Sequence, residues 1–257
     1  MVDFRALLID IDGVLTVSWR PLPGAVDALA RLRAAGVGVR LVTNTTSRTR
    51  SSIVRALRTG GFDIATDEVM TGVVATAEYL RHHHPGARCL LLNSGDVTDD
   101  LEGVTLVDDD PDVVVLGGAG PEFGYGAINR VFGHVQRGAS FVAMHNSLRW
   151  RTSEGLVLDS GAFLLGIERA ADREAVVVGK PSGEFFTSAL HSLEVEPGAA
   201  LMVGDDVESD VLAAQRLGIT GVLVRTGKYT PETTEAASGV PDHVLDSFAD
   251  VPDLLGV

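Results

Sequence analysis

Short apolar runs alternate with helix-patterned segments along most of this 257-residue chain, and that alternation restricts the fold more than any other feature. An apolar run too short for a stable helix and bounded by turn residues reads as a buried strand. The helical periodicity between such runs reads as a crossover helix, so the repeated pattern predicts βα units and a parallel sheet. Strands are expected at 4–11, 38–42, 175–178, 200–203, 222–224 and 243–245. Helices are expected at 25–34, closed by Gly36, at 47–58, stopped by Gly60-Gly61, and at 184–193 and 209–217. The intervening stretch carries its own strand signals at 89–92, 113–116 and 141–143, with helix signals at 75–82 and 125–136. The economical organisation is α/β: residues 1–71 and 174–257 form a Rossmann-like parallel-sheet core, and 72–173 form an inserted αβ unit.

Charge and cysteine content narrow the function. Lys and Arg number 21 against 35 Asp and Glu, a formal net charge of −14. Nucleic-acid binders carry a basic excess, so no nucleic-acid partner is expected. The single cysteine, Cys89, lies in the apolar stretch Cys89-Leu90-Leu91-Leu92 and reads as a small buried hydrophobe. No apolar run approaches the ~18 residues of a membrane span, and no basic-then-apolar leader opens the chain. The expectation is a cytoplasmic protein without a membrane partner.

The chemistry begins at Asp10-Ile11-Asp12-Gly13, where the first apolar run stops. Two carboxylates at a strand end cannot be buried without partners, so they point to a metal site, a catalytic pair, or both. An ordinary turn also uses Asp and Gly. Three further predicted strands end in useful residues: Thr43-Asn44, Gly179-Lys180-Pro181, and Gly204-Asp205-Asp206 with Asp210 nearby. In open parallel sheets, sites form beyond the carboxyl ends of strands near a reversal of strand order, so neighbouring strands would bring all four sets together. Clustered acids suit Mg²⁺, while a lysine, a hydroxyl and helix N-termini suit phosphate oxygens, which together suggest phosphoryl transfer. No Gly-x-x-x-x-Gly-Lys-[Ser/Thr] element is present, which disfavours a P-loop.

These segments resemble the four motifs of the haloacid dehalogenase (HAD) superfamily. Asp10-Ile11-Asp12-Gly13-Val14-Leu15 is similar to the first and Leu41-Val42-Thr43-Asn44 to the second. Gly179-Lys180-Pro181 resembles the third and Gly204-Asp205-Asp206-Val207-Glu208-Ser209-Asp210 the fourth, with an insertion like the class IIA cap of NagD-like phosphatases. The resemblance implies that Asp10 attacks phosphorus to form an aspartyl-phosphate, and that Asp12 protonates the leaving group and then activates water. It implies Mg²⁺ held by Asp10, the Asp12 carbonyl and Asp205, supported by Asp206 or Asp210. Asp12 and Gly13, Thr43, Asn44 and Lys180 would surround the phosphate of a small phosphorylated substrate, and a homodimer is compatible with the family. Asp12 itself favours phosphatase over dehalogenase chemistry. A phosphomutase using the same intermediate is the enzyme alternative, although only about thirty residues separate Asp12 from Thr43, too few for a cap placed there. A catalytically weak ligand-binding protein of the same fold is the other.

Other motifs read more plainly. Gly117-Gly118-Ala119-Gly120 follows a strand, but Phe123 occupies the third glycine position of a dinucleotide-binding loop, leaving a tight loop of the insertion. His82-His83-His84 reads as an exposed helix end and Asp108-Asp109-Asp110 as a solvated loop. His145-Asn146, after a strand of the insertion, is the candidate for substrate selection, the alternative being local backbone capping. Trp19 belongs to a flap over the site or packs against the cap.

Overall fold

A computed structural model describes residues 4–152 and 155–257. These fall into two compact units. The first comprises the described residues through Thr43, Arg50–Met70 and Lys180–Val257; the second comprises Asn44–Thr49 and Thr71–Gly179.

The first unit is built on a six-stranded sheet ordered His243–Leu245, Thr220–Val224, Ala200–Gly204, Ala6–Asp10, Gly38–Thr43, Val69–Thr71. The strands from His243–Leu245 to Gly38–Thr43 pair in parallel. Ala6–Asp10 and Ala200–Gly204 are buried along their whole length, as expected of strands covered on both faces. Ala25–Ala34 buries Ala25, Ala28, Leu29 and Leu32, one helical face, and its chain turns away at Gly36 with φ 78°. Arg50–Thr59 buries Ile53, Val54 and Leu57 in the same way. These faces join Leu7, Ile9, Leu41 and Leu201 in one apolar core.

Strand order reverses beside Ala6–Asp10. The chain first moves outward through Gly38–Thr43, and later resumes on the opposite side of the first strand with Ala200–Gly204. Ile9 lies opposite Val203 and Asp10 opposite Val42, so the carboxyl ends of the three central strands are level. This is the switch point at which open α/β sheets place their ligands.

The second unit has a parallel five-stranded sheet ordered Val176–Val177, Ser140–Ala143, Val113–Leu116, Arg88–Leu92, Thr105–Leu106. Helices Tyr125–Gln136 and Ser160–Ala171 contribute Val131, Val135, Leu164 and Ile167 to its core. Among the described residues, no helix is long and apolar enough to cross a membrane.

Several local expectations differ from the structure. The segment before Lys180 is not a strand of the first sheet: Val176–Val177 pairs with Ser140–Ala143 of the second. A short run of valines suits either sheet edge, and only the pairing decides. The antiparallel hairpin Arg149–Thr152 and Gly155–Leu158, the helix Ser160–Ala171 and the strand Val69–Thr71 were not anticipated. Trp19 sits at the turn of a small hairpin, Thr16–Val17 with Arg20–Pro21, and packs against the first unit's core.

Leu7, fully buried in the first strand, tests this packing. Leu7→Ala is expected to cost about 2–5 kcal/mol in urea unfolding. A loss under about 1 kcal/mol would show that the central strand is not close-packed.

Candidate active site

Three carboxylates and one ammonium meet at the switch point of the first sheet. Asp10 ends the central strand, Asp205 follows its neighbour, and Asp210 lies in the wide helical turn Val207–Leu212. All three are buried, and one oxygen from each lies within 4.8 Å of the others. Gly204 makes this possible, because a Cβ there would stand 2.3 Å from the Asp210 Cβ.

Lys180 holds the cluster together. Its buried Nζ lies 2.5 Å from Asp10 Oδ1 and 2.7 Å from Asp210 Oδ1, and donates more weakly to the Val42 carbonyl at 3.5 Å. Burial opposes the positive charge, but attraction to Asp10 and then Asp210 prevails and holds the ammonium above its ordinary pKa. Lys180, with Lys228 acting from the rim, nevertheless leaves the three buried carboxylates in excess. Asp205 carries the consequence: burial, then repulsion from Asp10 and Asp210, pushes its carboxyl up to about 8. Asp210 is raised to about 6, chiefly by burial, with Lys180 opposing the shift.

The two Asp205 oxygens have different environments. Oδ2 accepts the Lys228 backbone N–H at 2.7 Å, whereas the buried Oδ1 has no hydrogen-bond partner among the described residues. A buried carboxylate oxygen without a donor beside two more carboxylates could hold a cation. The all-oxygen donors and the uncompensated charge fit Mg²⁺.

The remaining acids of the motifs separate by role. Asp210 Oδ2 accepts the Asp206 N–H at 3.3 Å, so its carboxylate is fixed from two sides. Asp206 caps the following turn through Ser209 N at 3.0 Å and meets Lys228 Nζ at 3.3 Å. Burial raises its carboxyl, but Lys228 and the Ser209 N–H outweigh that and leave it below the usual value. Asp12 faces solvent on one side, yet the crowded rim removes enough water to raise its carboxyl, against the Ser18 N–H and the charge of Lys228. Thr43 is buried at the end of its strand.

The other expected residues belong to the second unit. Asn44 follows Thr43 but is part of that unit, as are His145 and Asn146. His145 is buried; its Nδ1 accepts the Ser147 N–H at 3.3 Å, and its Nε2 stands 4.0 Å from Asp159 Oδ2. Asn146 is exposed. Asp159 also accepts the Ser160 and Ala119 N–H groups, while Gly118 N–H is shared by Thr46 Oγ1 and Asn93 Oδ1. The Gly117–Gly120 loop is thus pinned by polar side chains. His82 and His83 end the helix Gly72–His83 and are exposed, His83 stacking on Tyr79, while the capping His84 is half-buried. Asp108, Asp109 and Asp110 are exposed, and burial pushes the Cys89 thiol up to about 11.

Sequence reasoning assigned no role to Thr226, Gly227 and Lys228, which follow the strand Thr220–Val224 and border Asp205. Their signal was the one used for the other motifs, a glycine-containing polar segment directly after a buried strand.

The comparisons with known proteins agree with this geometry. A family model described as haloacid dehalogenase-like hydrolase matches residues 7–106, and a HAD-hydrolase-like model matches 177–251. The human haloacid dehalogenase-like hydrolase domain-containing protein 2 is 37% identical over 249 residues, covering 97% of this chain and 95% of the relative. The phospholysine phosphohistidine inorganic pyrophosphate phosphatase of Xenopus laevis is 35% identical, covering 98% and 94%. Among solved structures, the p-nitrophenyl phosphatase from Archaeoglobus fulgidus superposes with a TM-score of 0.93 at 28% identity, covering 98% of this chain and all of that one. NagD from E. coli K-12 gives 0.87 at 27% identity, covering 96% and 98%. The chain belongs to the haloacid dehalogenase-like hydrolases. Within them it falls in the class IIA, NagD-like group and is an enzyme of the phosphatase type.

The charge imbalance has a measurable consequence. A carboxyl whose pKa is higher folded than unfolded penalises the native state increasingly as pH rises between the two values. For Asp205 that window runs from 3.8 to about 8. In chelator, Asp205→Asn should therefore raise the melting temperature above that of the wild type by on the order of 5 °C at high pH. The gap should close as pH falls below 3.8, where the wild-type carboxyl becomes protonated in both states. A pH-independent gap would contradict the assignment.

Proposed function

We propose that this enzyme is a Mg²⁺-dependent phosphatase that hydrolyses a small phosphorylated substrate through an aspartyl-phosphate on Asp10. The observation that carries the proposal is the buried Asp10–Lys180–Asp210 chain beside Asp205 with its unpartnered oxygen.

The residues divide the reaction between them. Lys180 donates to Asp10 Oδ1 and orients its carboxylate, so the nucleophile is positioned before substrate arrives. An Asp10 oxygen forms a bond to phosphorus as the ester P–O bond breaks, and Asp12 transfers its proton to the departing oxygen. Asp12, now a carboxylate, takes a proton from water as that water attacks the phosphorus. The P–O bond to Asp10 breaks, phosphate leaves, and both acids return to their starting states. The raised pKa of Asp12 supports its proton-carrying role. Asp10, the Asp12 carbonyl and Asp205 would hold Mg²⁺, with Asp210 and Asp206 supporting them. The bound ion would offset the charge of the phosphoryl oxygens and of the carboxylate cluster.

Thr43 and the Asn44 backbone would take phosphate oxygens, with Gly13 allowing close approach beside Asp12. We assign substrate selection to the second unit, through His145 and Asn146. The phosphatases named above act on different phosphorylated compounds by their names, so the substrate is best sought in a panel of phosphate esters, phosphoramidates and pyrophosphate.

That panel should give Mg²⁺-dependent phosphate release that chelator abolishes. Asp10→Asn should lower kcat by at least about 10³-fold, given the part a nucleophile plays in the barrier, with an unchanged circular dichroism spectrum. Wild-type turnover by Asp10→Asn, or full activity in chelator, would overturn the proposal.

A further inference from the structure

The loop after the strand Thr220–Val224 contributes no cluster carboxylate, yet it contacts the centre at three points. Thr226 Oγ1 donates to the Gly13 carbonyl at 2.5 Å. The Lys228 N–H donates to Asp205 Oδ2 at 2.7 Å. Gly227 packs between them, so close that a Cβ there would stand 1.9 Å from Asp205 Oδ2 and 2.6 Å from the Gly13 Cα. A Cβ on Gly13 would meet the same Oδ2 at 2.0 Å, and both glycines have positive φ, 91° and 60°. One carboxylate oxygen is therefore seated between two facing glycines, where no other residue fits.

This seating determines what the opposite oxygen can do. With Oδ2 held by the amide and the glycines, the carboxylate cannot rotate, and Oδ1 stays buried without a donor. A loop serving stability alone would have satisfied both oxygens. Gly13 is held on its other side as well, since its N–H donates to the Thr16 carbonyl at 2.7 Å. That N–H and the Asp12 carbonyl share one rigid peptide plane, so fixing the first aims the second.

We infer, on the reading of Asp205 and the Asp12 carbonyl as magnesium ligands, that residues 226–228 form a positioning clamp which sets cation affinity without supplying a ligand. Thr226 is its adjustable member. Its hydroxyl fixes the loop bearing the Asp12 carbonyl, and its chain presents Gly227 and the Lys228 amide to Asp205.

The test is calorimetric titration of Mg²⁺ into the purified full chain without substrate, comparing wild type, Thr226→Val and Thr226→Ser. Loss of the hydroxyl should raise the Mg²⁺ dissociation constant about tenfold, the lower end for residues that orient metal ligands. Serine, which keeps the hydroxyl, should stay within about twofold of wild type. In turnover assays the valine variant should need correspondingly more Mg²⁺, with kcat at saturating Mg²⁺ falling far less than affinity. Should valine pack poorly, Thr226→Ala removes the same hydrogen bond without the second branch. Wild-type Mg²⁺ affinity in both variants, with only a lowered melting temperature, would overturn the clamp. Absence of Mg²⁺ binding by the wild type would instead overturn the magnesium reading on which it rests.

Discussion

The structure depends on one electrostatic problem, the burial of three carboxylates around the ammonium of Lys180. Asp10, Asp205 and Asp210 would repel one another out of any apolar core, and Lys180 neutralises only part of their charge. The fold keeps them because other features are arranged around them. Gly204 leaves room for Asp210, the Asp206 N–H fixes its second oxygen, and the two facing glycines seat Asp205. What is left over, a raised Asp205 pKa and one buried oxygen without a donor, is a local cost in stability. Divalent-metal binding would relieve it, which links folding, metal and catalysis through the same atoms.

The residues proposed for chemistry and those proposed for recognition fall mostly in different units. The first unit contains the carboxylate cluster, Lys180, Asp12 and Thr43, while Asn44, His145 and Asn146 belong to the second. Two of the places where the chain passes between units adjoin proposed site residues: it leaves the first unit directly after Thr43 and re-enters it at Lys180. Both are anchored by the first unit, Thr43 by its strand and Lys180 by its ion pairs. The second unit has its own parallel sheet and a polar network that links Asn93, Thr46, Asp159 and the Gly117–Gly120 loop. On the proposed assignment, selectivity would vary in one unit while the reacting groups of the other stay fixed.

The carboxylate–lysine cluster was readable because its residues announce themselves at the ends of buried strands. Asp10, Thr43 and Asp205 follow apolar runs that can only be central strands, and charges placed there need a purpose. Lys180 was identified for a partly mistaken reason. Its preceding valines belong to the second sheet, and its position comes from ion pairs rather than from a strand of the first. Pairing partners of two-residue strands are a tertiary choice that local pattern does not encode. The helix Ser160–Ala171 was missed because its apolar residues run together in Phe163-Leu164-Leu165 rather than spacing out clearly. Asn93 and Asp159 gave no signal, since a lone polar residue after a strand looks the same whether it caps a loop or faces water. Thr226 to Lys228 form a glycine-containing polar segment after a buried strand, but their role depends on closeness to Gly13, more than two hundred positions earlier.

The central claim is that Asp10, held by Lys180 and backed by a divalent-cation site, becomes covalently phosphorylated. Rapid acid quench during turnover, followed by peptide mass spectrometry, tests it most directly. The account predicts one added phosphoryl group on the peptide containing Asp10, in wild type and only when Mg²⁺ is present. Turnover without a phosphorylated species, or a phosphoryl group on any other residue, would contradict it.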